Sequence, residues 1–301
     1  MGSRFTGLRP APLRARARGA RPHCTTLLIL ACLASGTAAG MVALAPVVRA
    51  AGDATSPEAI LASALEGFAL ERYERVALTI YRDEADDDGL TRALELYISP
   101  SPDGVRIFGS VVGPAIRRGT TFLVLPAATD PGEPIAPNQY FAYLPQTGRV
   151  RRLSGSQRDD AFFGSHLSLG DFELHPATHF RVTSMREDTL DPGSPSEERV
   201  FRLTIEPRFE AGYARAELWI ATADRALLRT EQYSGDADAP LRTIEARREW
   251  LDPFERSLLP GKRVIRSTAP GRTELEVIER STTIEIPDST FTHSHMRRGG
   301  R

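Results

Sequence analysis

The 301-residue chain has two cysteines and a single lysine, Lys262. Cys24 and Cys32 both lie in the first 50 residues. A body built from the rest can form no disulfide and offers no thiolate to a metal or a substrate. No G-x-S-x-G surrounds Ser154 or Ser156, so a nucleophile elbow is not indicated. The glycine-containing stretches "GDADAP" and "PGR" read as turns and do not form a phosphate-cradling loop. No repeat of fixed period occurs, and strands do not alternate with long helices, which argues against a doubly wound α/β fold.

Residues 1–50 lack acids but carry seven arginines, and the uncharged run "LLILACLASGTAAGMVALAPVV" spans Leu27 to Val48. A basic leader, an apolar run and small residues at Val48 and Ala50 predict an export signal over 1–50, cleaved before Ala51. The run is also long enough to span a bilayer, so an uncleaved inner-membrane anchor is the alternative. The periplasm is the expected location, with residues 51–301 as one domain. The leader's seven arginines removed, the 38 basic residues fall to 31 against 39 acidic ones, a formal charge of −8. An acidic body argues against nucleic-acid binding.

Ser56, Pro57 and Glu58 form a helix start, and Ile60, Leu61, Ala64, Leu65 and Phe68 recur at helical spacing. This predicts a helix across "SPEAILASALEGFALERYERV". From there the period changes from 3.6 to 2, and thirteen strands are expected near 75–82, 92–98, 104–112, 120–126, 139–145, 149–153, 178–186, 198–207, 213–221, 226–234, 241–251, 261–268 and 272–286. The fold class is mainly β, α+β in type.

Two of these strands are apolar on both faces. "TTFLVLP" sets Phe122 and Val124 against Leu123 and Leu125, and "QYFAYLP" sets Tyr140, Ala142 and Leu144 against Phe141 and Tyr143. Such a strand in an antiparallel sheet must be covered twice. The N-terminal helix, the segment 154–164, a ligand or a mixture would supply the second cover. In that segment Ser156 to Asp159 has the S-x-x-D form of a capping box, and Gly164 suits a C-terminal cap. The helix between them is too short to persist unpacked, and Phe162 and Phe163 are its only large apolar groups. The segment is either a lid on the sheet or part of its core.

The stretch "YLPQTGRVRRLSGSQRDDAFFGSHLSLGDFE" resembles the central signature of the outer-membrane lipoprotein-sorting, LolA-like carrier family, in its divergent branch. Tyr143-Leu144-Pro145, Arg149 to Arg152, Ser154-Gly155-Ser156, Phe163-Gly164-Ser165 and Asp171-Phe172 carry the pattern. "ELWIATADRALLRTEQY" and the ending "IPDSTFT" resemble the same family. The resemblance implies an incomplete, strongly curved antiparallel β-barrel with an N-terminal helix and a short helical lid. Its apolar interior would hold the acyl chains of lipoproteins or another lipid. Its partners would be membrane transport complexes that load and unload it, and it would need no cofactor. The residues expected to line or roof that interior are Leu61, Leu65, Phe68, Phe122, Val124, Phe141, Tyr143, Phe162 and Phe163.

Two rival functions remain. One is a periplasmic lipid sensor on the same fold. The other is a metal-dependent hydrolase using His166, Asp171, Glu173, His175 and His179. Pro176 interrupts the helical spacing of His175 and His179, which favours loop and strand-edge polar groups. Arg149, Arg151, Arg152 and Arg158 suit either an acidic partner or solvent. His293 and His295 sit in a basic ending expected to fray.

Overall fold

Ser56 opens helix α1 (Pro57–Glu66), its hydroxyl accepting a hydrogen bond from the Ala59 amide with Pro57 in the first turn. The helix stops at Gly67, and a 3-10 turn over Gly67–Ala69 delivers the chain to a strand at Arg72. The helix is therefore shorter than expected: from Arg72 onward burial alternates with period 2, and the sheet claims the segment.

The computed structural model describes residues 54–299 except 84, 87, 130–132 and 252–258. The expected export segment and its cleavage site lie outside the described residues. Thirteen strands follow α1: β1 (Arg72–Tyr81), β2 (Leu90–Ser101), β3 (Gly104–Gly113), β4 (Thr121–Leu125), β5 (Gln139–Leu144), β6 (Arg149–Leu153), β7 (Phe180–Leu190), β8 (Glu198–Pro207), β9 (Arg215–Ala221), β10 (Leu227–Tyr233), β11 (Arg242–Glu245), β12 (Lys262–Ser267) and β13 (Arg272–Ser281). Each matches one predicted segment. Two are shorter than expected: β11 gives way to a 3-10 turn at Arg248–Trp250, and β13 ends at Ser281.

The strands form one antiparallel sheet in the order β6-β5-β4-β3-β2-β1-β13-β12-β11-β10-β9-β8-β7. Two meanders thus join through β1 and β13, and the sheet stays open between β6 and β7. The connection between those two edges, residues 154–179, contains α2 (Gly155–Asp159) and three 3-10 turns. Edge strand β6 turns Arg149, Arg151 and Arg152 to solvent, which discourages pairing with another chain.

Register assigns the faces. Val76 opposes Leu94 and Val277, Leu78 opposes Leu275, and Ile265 opposes Ile244 and Thr273. These side chains share one face with Ile107, Phe122, Val124 and Tyr140, and the insert packs on it. On the same face of β8 and β9, Leu203, Ile205, Leu218 and Ile220 receive Ile60, Leu61 and Ala64 of α1. This inner face is thus covered by α1 at one side and by the insert at the other.

The second cover of the two-faced strands comes from the C-terminal segment. Phe108, Leu123 and Phe141 pack on the outer face against Ile286, Phe291 and Met296, the last fully buried. The ending expected to fray is helical over His293–Arg297 (α3), with Thr292 as its N-cap. His293 meets the Phe141 ring edge-on at 4.4 Å and His295 meets Phe108 at 4.8 Å. The tail holds because its apolar residues complete a core the sheet cannot close alone.

The lid and inner face as candidate functional site

Ser154 caps α2, with Gln157 closing the reciprocal bond to the Ser154 amide. The cap thus lies two residues before the expected Ser156–Asp159 box. Asp159 does not cap; its carboxylate takes the Arg158 Nε at 2.9 Å. A second S-x-x-D, Ser168 to Asp171, does form a capping box: Asp171 accepts from the Ser168 amide at 2.6 Å and hydroxyl at 3.0 Å.

Between these caps the chain turns sharply. Phe163 sits at φ 53° and Gly164 at φ 78°. Left-handed backbone is ordinary for glycine but costs a phenylalanine about 1–2 kcal/mol. The turn aims Phe162 at the inner face, where the rings of Phe122, Phe162 and Phe172 meet pairwise at 5.2, 5.3 and 5.4 Å. Phe163 packs against Phe162 at 4.3 Å, and Leu167 and Leu169 complete the apolar underside. Gly109 makes room for this cluster: a Cβ there would come within 2.1 Å of the Phe122 ring.

Polar contacts fasten the insert around that underside. Glu173, its side chain 4% exposed, accepts the Tyr140 hydroxyl, takes His175 Nε2 at 2.6 Å and lies 3.6 Å from Arg158. Arg158 also donates to the Glu210 carbonyl at 2.8 Å. Asp171 pairs with Arg242 of β11. The buried His166 ring is clamped between the Thr273 hydroxyl at 2.9 Å and the Pro270 carbonyl at 3.0 Å. Burial, then the nearby Glu173 carboxylate, push the Tyr140 phenol upward, so it remains a donor.

The nine expected lining residues fall into separate places. Phe122, Val124, Phe162 and Phe163 come together under the insert. Leu61 and Leu65 belong to the α1 cluster on β7–β10, while Phe68 lies half-buried in the following 3-10 turn. Phe141 and Tyr143 face the other way, under the C-terminal segment, and line no common interior with Phe122. Alternation along β5 sends Tyr140 inward and Phe141 outward. Of the five polar residues considered for metal chemistry, Glu173, His175 and His179 converge, whereas His166 and Asp171 make separate attachments.

The reading from sequence missed Leu167, Leu169 and Phe172 in the insert's apolar underside, and Tyr140, Arg158 and Glu173 as its fastening. The Ser168–Asp171 box was a readable signal for the former. Nothing local marks the latter, because their partners lie on other elements.

An open antiparallel sheet with a helix and an insert on its inner face recurs in solved structures. A LolA superfamily protein from Nitrosomonas europaea superposes with a TM-score of 0.61 at 16% identity, over 79% of this chain and 98% of that one. A domain named as an outer membrane lipoprotein-sorting protein, from Vibrio parahaemolyticus, gives 0.66 at 19% identity, over 77% and 93%. A DUF1329 family protein from Desulfovibrio piger gives 0.65 at 21%, over 78% and 96%. No curated protein sequence matches the chain significantly. The class is therefore set by fold: a LolA-like open barrel. Within it, the chain belongs to the family whose model, described as "Uncharacterized protein", matches residues 108–298. Among the described residues, no helix is long and apolar enough to cross a membrane.

Proposed function

We propose that the protein is an exported, non-enzymatic carrier that shelters lipid acyl chains, such as those of lipoproteins, on the inner face of the open barrel. Residues 154–176 act as its lid. The observation that carries this reading is the aromatic underside of the insert. Phe162, Phe163 and Phe172 occupy apolar surface that an acyl chain would otherwise cover, and they are held there by a few polar attachments. Each methylene transferred from water to such a surface is worth about 0.8 kcal/mol. A chain of ordinary length can therefore displace the lid's rings, and release of the left-handed Phe163 offsets part of the cost. The periplasm is the aqueous space such a carrier would cross, and membrane complexes would load and unload it.

The test is the double change Phe162→Ala/Phe163→Ala, assayed with a fluorescent fatty-acid probe. Release should accelerate several-fold while association changes little. Removing a large packed aromatic costs about 3–5 kcal/mol of stability, so thermal melts accompany the assay. Asp160→Ala, at an exposed position of the insert away from its apolar underside, is the control and should leave binding intact. Wild-type protein that binds no apolar probe would defeat the carrier reading. A destabilised double variant that binds as tightly as wild type would make the insert core and not lid.

A further inference from the structure

Between the α1 cluster and the lid, the inner face becomes polar. Glu74 of β1 opposes Arg280 of β13 in register, on the face that carries Val76 and Leu78. Its Oε1 accepts both Arg72 Nε at 2.9 Å and Arg280 Nε at 2.8 Å, with all three side chains at most 6% exposed. One strand further, Arg263 opposes Leu275 and shares the face of Ile265, so its guanidinium also points inward. Arg242 lies on that face too and is engaged by Asp171.

Among the described residues, Arg72, Arg242, Arg263 and Arg280 share this face with Glu74 and Asp171, and each of those carboxylates is already engaged by other arginines. Arg263 stands apart: among the described residues its half-buried side chain has no hydrogen bond or ion pair, and its Nε is buried without a partner. Burial pushes its pKa down, and the Arg72 and Arg280 charges add to that against the pull of Glu74. A partly buried guanidinium without a partner gives up hydration that no protein group replaces. Packing alone would be better served there by a leucine or methionine, and a residue kept against the local rule points to a function.

We infer that Arg263, with Arg72, Arg280 and Arg242 around it, forms an oxyanion site on the inner face, suited to a phosphate monoester. A guanidinium fork matches two phosphate oxygens, and Arg263 with further guanidinium groups beside it suits a phosphate better than a single carboxylate. The same chemistry arrives on a lipid headgroup or as free phosphate. The carrier reading bears only on which of these sources supplies it.

The experiment compares dodecyl phosphate, dodecanol and inorganic phosphate on the full chain, in wild type, Arg263→Met and Arg263→Lys. Wild type should prefer dodecyl phosphate over dodecanol by about tenfold or more, the worth of one charge-assisted hydrogen bond. Arg263→Met should abolish the preference without lowering Tm, because it removes an uncompensated charge, and Arg263→Lys should restore part of it. Millimolar inorganic phosphate that erases the preference while dodecanol stays bound identifies a site open to the free anion; if it has no effect, the headgroup is the source. Equal binding of both amphiphiles, unchanged in Arg263→Met, would overturn the anion site and leave the carrier standing. So would a fall in Tm in Arg263→Met with the preference retained, which would make Arg263 structural. If neither amphiphile binds but inorganic phosphate binds in an Arg263-dependent way, the carrier falls and the anion site stands.

Discussion

His175 and His179 face each other through Nδ1 atoms 3.3 Å apart, with the His175 ring stacked on Phe209 at 3.7 Å. A pair at that distance shares one hydrogen, and protonating both rings would set N–H against N–H. Burial, then His175, hold His179 below the ordinary histidine value of 6.5. The unfolded chain therefore takes up a proton at higher pH than the folded one. Stability from this group is fully present above 6.5 and is lost as pH falls through the lower folded value. Thermal melts between pH 7.5 and 5 should show Tm falling with acidity, and His179→Gln should flatten that slope. A His179→Gln slope equal to wild type would remove the pair from the account. At this scale the sequence was partly legible. The helical spacing of His175 and His179 flagged the pair, but their junction with Glu173 depends on the turn at Ala177–His179, which the pattern did not show.

Glu173 is one of the insert's attachments and binds Tyr140 of β5, His175 and Arg158 at once. Removing one partner of a buried pair typically costs about 3–5 kcal/mol, because the other charge remains unmet. Glu173→Gln keeps the shape but turns one acceptor oxygen into an NH2 donor, and it leaves Arg158 with the more exposed Asp159. Amides 160–174 should then exchange several-fold faster with deuterium while those of β1, β2 and β13 keep their protection. Uniform acceleration across the sheet would mean that the insert does not open separately. The strands themselves were legible because alternation survives in each of them, as in Phe201, Leu203 and Ile205. The cap of α2 was misread because two serines, Ser154 and Ser156, both stand near acids or amides at cap spacing, and only the fold decides between them.

For the whole molecule, the C-terminal segment is as much a part of the core as any strand. Met296 is fully buried beside Phe108 and Leu123, and its carbonyl accepts the Thr121 hydroxyl at 3.3 Å. Met296→Ala should cost about 2–5 kcal/mol, measured by urea denaturation, with the inner face undisturbed and probe affinity retained. A change below about 0.5 kcal/mol would return the tail to the surface class. Two-faced apolarity in β4 and β5 announced that a second cover was needed. It could not name residues 286–297 as that cover, since a histidine- and arginine-rich ending resembles solvent-exposed tail unless its Ile286, Phe291 and Met296 are read together.

The pairing of β1 with β13 sets a schedule for synthesis. Strands β1 to β6 pair with chain neighbours as they emerge, yet the free side of β1 waits for a partner about 200 residues downstream, the separation between Glu74 and Arg280. Until then the first meander exposes an unpaired edge, and Glu74 lacks one of its two arginines. A chain lacking β13 would thus present a half-built sheet ready to join a second such half from a neighbouring chain. For this topology, delaying collapse until the last strand arrives protects the molecule from itself.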